Sequence, residues 1–404
     1  MNEQGRSVGD VLGEIDVRRA KEPDVHGARL FGLVYPTGDH TLEDLVVAVN
    51  NRYLFGNALN PFKFAELAAM EQEVVASTSR LLSLSGGGGT MTSGGTESIL
   101  MSMLVNRERA RERGIEVPQI LAPATAHPAY AKAAHYFGME LVRIPLDAQW
   151  RADVEAARSL ISEQTAVVVA SAFNYPHGVM DPVVELAALA ASYGVGCHVD
   201  ACIGGFVLPF MQRCGRDIPA WDFSVPGVTE ISADIHKYGY APKGASVILH
   251  RDDDWFLRQV FMYEAWGSGL YGSPGVAGAR PAAPIATAWA VSQHLGVDGY
   301  VTIMRELLAT VGVFKDAVAS IEGIELVGEP VGPVLALRSD TIDLYAVADV
   351  MDDRGWHVNR NTDPKGLHFM LSPAHGKVVH SLVGDLRDAV ANHGDSRNKQ
   401  ARYS

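Results

Sequence analysis

Between residues 119 and 233 short, mostly apolar runs alternate with segments of helical spacing, and this alternation narrows the fold more than any other feature. Strands read at Gln119–Ala122, Leu141–Ile144, Ala166–Ala170, Gly196–Val199 and Glu230–Ala233. Helices read at Gly95–Arg113, Ala129–Phe137, Asp153–Ser162 and Val183–Tyr193. Strands that are apolar without alternation have both faces buried, as in a parallel sheet covered by helices on each side. The expected class is therefore α/β with a largely parallel sheet. Upstream, helical spacing marks Leu42–Asn50 and Phe64–Leu84, and Ser85-Gly-Gly-Gly-Gly-Thr90 reads as a loop that breaks the second helix. Downstream, a helical region from Ala282 to about Ile321 leads to strands near Val334–Arg338, His357–Asn359 and His368–Leu371. A last helix spans Val378–Asn392. A chain of 404 residues exceeds what one core usually holds. The expected division is an N-terminal segment (1–60), a large α/β domain (61–305) and a small α+β domain (306–404).

Against this frame a few residues carry chemistry. Asp200 ends the apolar run Val195–Val199, and an aspartate at the carboxyl end of a parallel strand faces the crevice where such sheets bind ligands. Lys237 follows 37 residues later in Ile-Ser-Ala-Asp-Ile-His-Lys-Tyr-Gly (231–239), flanked by His236. A buried carboxylate needs a cation, and a protonated pyridine nitrogen supplies one. A lysine beside it can hold an aldehyde as a Schiff base. Together they point to pyridoxal 5'-phosphate. Thr92-Ser-Gly-Gly-Thr-Glu-Ser98, just before a helix, has the small residues and free N–H groups that cradle a phosphate. His127, after the next strand, could stack on the cofactor ring, whereas His135 reads as structural. Lys243 could serve a substrate anion, and the glycine-rich aromatic stretch Trp266–Arg280 reads as a functional loop. Burial and cationic neighbours are expected to lower the pKa of Lys237, since a more basic amine would be a poor nucleophile and leaving group.

Composition removes other classes. A formal charge of −13 argues against nucleic acid or an anionic membrane as partner. Three cysteines without CxxC spacing speak against a disulfide framework or a metal site and fit a reducing cytoplasm. Residues 1–27 lack the apolar core of a signal peptide, and no run of about 18 apolar residues occurs, so no membrane anchor is expected.

Four stretches in order carry a resemblance: Thr92–Met101, His198–Phe206, Ser232–Gly244 and Tyr271–Pro281. With them, residues 28 to 392 resemble the fold type I pyridoxal phosphate lyases of the group II decarboxylase superfamily, most closely the sphingosine-1-phosphate lyases. The resemblance implies an aspartate aminotransferase-like fold with a mostly parallel seven-stranded sheet. It implies that Lys237 binds the cofactor covalently, that Asp200 pairs with the pyridine nitrogen and that His127 stacks on the ring. Gly94, Gly95, Thr96 and His236 would hold the phosphate. Tyr35 and Lys243 correspond to positions that handle substrate phosphate or proton transfer. Gly278 would lie against the cofactor of the partner in a homodimer with shared sites. Two departures stand out. Asn60 occupies a substrate-phosphate position where the lyases carry histidine, and Gly278-Ala-Arg-Pro-Ala-Ala283 replaces Gly-Ser-Arg-Pro-Gly-Gly. The expected activity is a retro-aldol cleavage of an amino alcohol or its phosphate, releasing an aldehyde. Amino-acid decarboxylation is the alternative, and a non-catalytic pyridoxal phosphate-binding protein a third reading.

Overall fold

The computed structural model describes residues 3–398, 400 and 401. Among them, seven strands form the large sheet: β1 (Gly88–Thr92), β2 (Gln119–Pro123), β3 (Glu140–Ile144), β4 (Thr165–Ser171), β5 (Gly196–Asp200), β6 (Glu230–Ala233) and β7 (Ser246–His250). Their spatial order is β1-β7-β6-β5-β4-β2-β3. The pairs from β6 to β3 are parallel, while β7 runs antiparallel to both β6 and β1. The interior strand β4, Thr-Ala-Val-Val-Val-Ala-Ser, is buried at every residue, as a strand covered on both faces must be.

Two strands depart from the expected pattern. Gly88–Thr92 overlaps the run read as a loop. It is the edge strand, and its glycines are what let it pack: a Cβ at Gly88 would sit 2.7 Å from the Phe256 ring, and one at Gly89 2.5 Å from the Ile248 carbonyl oxygen. The pairing partner creates this strand, since glycine has no strand preference of its own. β7 is the second addition, and it returns the chain from the Lys237 turn into the sheet.

A hairpin, β8 (Phe261–Tyr263) and β9 (Tyr271–Ser273), follows, with Phe261, Met262 and Tyr263 exposed. The helix Ala282–Ala319 then leads to a second sheet of β10 (Glu325–Leu326), β11 (Val334–Arg338), β12 (Asn359–Thr362) and β13 (Lys365–Met370), in the order β10-β11-β13-β12. That helix kinks at Gly296, whose φ of 52° is left-handed and favours glycine. A further helix, Val8–Arg19, lies in the stretch read as lead-in and buries none of its residues. Among the described residues no helix is long and apolar enough to cross a membrane.

The sheet fixes the site. In register, Asp200 at the end of β5 lies between Ser171 of β4 and Ser232 of β6. Asp234 follows β6 directly, so two carboxylates reach the same carboxyl edge from neighbouring strands.

Candidate active site

Lys237 stands in the turn between β6 and β7, and its Nζ lies 2.8 Å from Asp234 Oδ2. Asp234 is buried, 3% exposed. Burial opposes the lysine's charge, but Asp234, Tyr35 and Cys202 outweigh it and hold the ammonium well above its ordinary range. The expectation of a lowered pKa is thus reversed, because a carboxylate three residues upstream was not counted. Burial likewise resists ionisation of Asp234, yet Lys237 and His236 hold its carboxyl below the usual carboxylate range.

A cavity of about 300 Å³ opens over this pair, lined by Ser93, Gly94, Gly95, Thr96, His127, Cys202, Asp234, His236 and Lys237 among others. Gly94, with no side-chain cap, leads into the helix Gly95–Glu112, so the helix start borders the cavity. A Cβ at Gly94 would lie 3.4 Å from the His236 ring, which places that ring against the cradle. Burial pushes His236 down to about 4 despite Asp234, so the ring is neutral near pH 7. His127 lies at the cavity wall. Its Nδ1 accepts the Ala129 N–H at 3.1 Å, which leaves the proton on Nε2, and burial lowers its pKa while Asp200 raises it. Asp200 is buried and its Oδ1 accepts the Cys202 N–H at 3.1 Å. His135 is exposed and apart from these groups.

Tyr35 and Lys243 meet beside Lys237. The Lys243 Nζ sits 4.5 Å above the Tyr35 ring and donates to the His236 carbonyl oxygen at 3.2 Å. Lys243 is an exposed residue whose Nζ nonetheless makes both of these contacts. Desolvation of that Nζ and then the charge of Lys237 push the ammonium down to about 8. The Tyr35 hydroxyl points to the Met370 sulfur at 3.1 Å, which ties the small sheet to the site. Asn60 and Gly278 are not brought to Lys237 within the chain. They line a separate cavity of about 160 Å³ with Arg280 and Glu71.

The sequence reading missed Asp234, although the signal that drew attention to Asp200, a carboxylate just past an apolar strand, applied to it as well. It also missed a cavity of about 360 Å³ that shares His127 with the first and is lined by Tyr175, His177, Asn359 and His368. Those residues come from irregular segments and from the small sheet, where no local pattern marks them.

Residues 38–339 match the pyridoxal-dependent decarboxylase conserved domain. Sphingosine-1-phosphate lyase 1 of Mus musculus is 40% identical over 394 residues, covering 96% of this chain and 69% of its own. The chain belongs to the pyridoxal-dependent decarboxylase family, among the sphingosine-1-phosphate lyases. The lyase of Saccharomyces cerevisiae is 38% identical over 368 residues, 90% of this chain and 62% of its own. The solved sphingosine-1-phosphate lyase of Burkholderia pseudomallei superposes with a TM-score of 0.92 at 37% identity, covering 97% of this chain and 92% of that one. Glutamate decarboxylase of Lactobacillus brevis, at TM-score 0.83 and 19% identity, shares the fold.

The protein is a pyridoxal phosphate-dependent lyase, and the residues of this member fit the cofactor. His236 Nδ1 is buried without a hydrogen-bond partner in the cavity wall, and Gly94 and Gly95 bring bare backbone to the same cavity. That space is sharply limited. A Cβ at Gly95 would lie 2.6 Å from Cys202 Sγ and 2.8 Å from Asp234 Oδ2. Gly95→Ala is therefore expected to push Asp234 off Lys237 and weaken pyridoxal phosphate binding by at least about ten-fold, the loss of one charge-assisted contact. Absorbance titration with the cofactor measures this, and an unchanged dissociation constant would show that the cradle lies elsewhere.

Proposed function

We propose that this lyase cleaves the Cα–Cβ bond of a phosphorylated 2-amino-3-hydroxy compound, releasing an aldehyde and a phosphorylated amine. The observation that carries the reading is its 40% identity to a sphingosine-1-phosphate lyase over 96% of the chain. Geometry supports it through Lys243 and Tyr35, a second basic group beside the lysine that would hold the cofactor.

In this reading Lys237 would hold the cofactor's aldehyde carbon, Asp200 its ring nitrogen, and Gly94, Gly95, Thr96 and His236 its phosphate, with His127 beside the ring. Bound pyridoxal phosphate supplies an electron sink for the pair left when the bond breaks. Asp234 Oδ2 holds and orients Lys237 Nζ. Lys243 Nζ, tuned to about 8, accepts the proton of the substrate hydroxyl as Cα–Cβ breaks, and Tyr35 holds that ammonium in place. Cα then gains one proton, so the cleavage balances without any co-reactant. The cavity of about 360 Å³ beyond His127 gives room for the rest of the substrate. Asn60 and Gly278, set apart from Lys237, complete the site of a partner subunit in a homodimer. The three unpaired cysteines fit a cytoplasmic setting. The division at 60 and 305 is proposed on the same footing.

Incubation with sphingosine 1-phosphate should release one aldehyde per substrate consumed. The rate should climb with pH to about 8 and level off, because Lys243 accepts a proton only when neutral; Lys243→Met should remove that limb. Carbon dioxide from amino acids, without aldehyde from any amino-alcohol phosphate, would make the protein a decarboxylase instead.

A further inference from the structure

Glu97 has no part in the chemistry above, yet its buried carboxylate joins two separate pieces of the site. It stands in the first turn of the helix Gly95–Glu112 and is 8% exposed. Oε2 accepts both the N–H of Ser93 at 2.7 Å and its hydroxyl at 2.6 Å. Oε1 accepts the N–H of Val276 at 2.8 Å, from the glycine-rich loop 179 residues away in sequence. The first two bonds close the segment Ser93–Glu97 on itself, with the cradle residues Gly94, Gly95 and Thr96 inside the ring. The third fastens that ring to the loop.

The loop is built to be held there. A Cβ at Gly275 would lie 2.8 Å from Glu97 Oε1, so only a bare backbone lets Val276 reach the carboxylate. The Ser273 hydroxyl donates to the carbonyl oxygens of Gly275 and Ala277, at 3.0 and 3.1 Å, which fixes the loop's shape from within. A carboxylate so buried must be fully partnered, and releasing the loop would leave Oε1 without a donor.

We infer that Glu97 is a positioning residue that fastens the loop Tyr271–Arg280 to the phosphate cradle, so that filling the cradle orders the loop. This goes beyond the proposed reaction and does not depend on the substrate. It needs only that the cradle takes the phosphate of pyridoxal phosphate.

Hydrogen–deuterium exchange of the full chain, with and without pyridoxal phosphate, tests it. In the unaltered protein the cofactor should slow exchange in peptides covering both 90–98 and 264–281. In Glu97→Gln, one oxygen cannot serve both Ser93 and Val276, and its new amide N–H₂ faces donors. Gly275→Ala leaves the carboxylate and Ser93 untouched but drives the loop off, which keeps the test decisive if the first variant folds poorly. In both variants the cofactor should still protect 90–98. Loop exchange with cofactor present should be about ten-fold faster than in the unaltered protein, the loss of one bond to a charged acceptor. Retained loop protection in both variants would overturn the inference. So would loop exchange that rises equally with and without cofactor, since that is a structural effect unconnected to the cradle.

Discussion

Lys237→Ala is expected to abolish aldehyde release, by a factor of about a thousand or more, together with the visible absorbance of bound pyridoxal phosphate. The substitution removes two things at once. It takes away the amine that would hold the cofactor, and it strands the Asp234 carboxylate, 3% exposed, without its cation at 2.8 Å. Removing one partner of a buried pair costs about 3–5 kcal/mol, so the alanine variant should also unfold at lower denaturant. Lys237→Arg separates the effects. A guanidinium can still face Asp234 but cannot condense with an aldehyde, so stability should largely return while activity and absorbance stay absent. An arginine variant that turns substrate over at the unaltered rate would remove Lys237 from the chemistry.

Asp234→Asn should have the largest effect of any change outside the lysine. The carboxylate is held below its ordinary value of 3.8, so its contribution to stability is present above that value and fades as pH falls through the lower, folded one. The lysine is held above 10.5, so its contribution is complete below 10.5 and fades only as pH rises through the higher, folded one. The pair therefore stabilises the fold between about pH 4 and 10.5. At pH 7 the asparagine variant should lose about 3–5 kcal/mol in denaturant unfolding, and the gap should close in strong acid. With the carboxylate gone, burial of Lys237 is opposed only by Tyr35 and Cys202. The amine should then lose its proton at lower pH, and the rate of pyridoxal phosphate uptake should shift in the same direction. Equal stability of the two proteins at pH 7 would count against the pair.

What could be read without coordinates divides along physical lines. The parallel strands were legible because a strand buried on both faces writes an apolar run into the chain, as Ala166–Ala170 does within a strand of seven buried residues. Lys237, His127 and the glycines before the helix were legible because each occupies a punctuation point, a strand end or a helix start. β1 was not, since two glycines carry no strand signal and β7 imposes the conformation. Asp234 was overlooked because its importance lies in one 2.8 Å contact rather than in a motif. The direction of the Lys237 shift followed from that omission. The split between the Lys237 cavity and the Asn60–Gly278 cavity is a property of tertiary placement alone.

The antiparallel return of β7 between β1 and β6 has a consequence for how the molecule comes into being. The phosphate cradle follows β1 near residue 94, and the lysine precedes β7 at residue 237, so a growing chain makes the cradle long before its reactive amine exists. Until Ser246–His250 has emerged and slotted between two strands already made, the edge strand has no neighbour to hold it. A nascent chain that stops short of this point therefore lacks the strand that joins the cradle's edge to the rest of the sheet. Cofactor binding, worth about 2.7 kcal/mol at a hundred times the dissociation constant, stabilises the state in which the sheet holds cradle and lysine together.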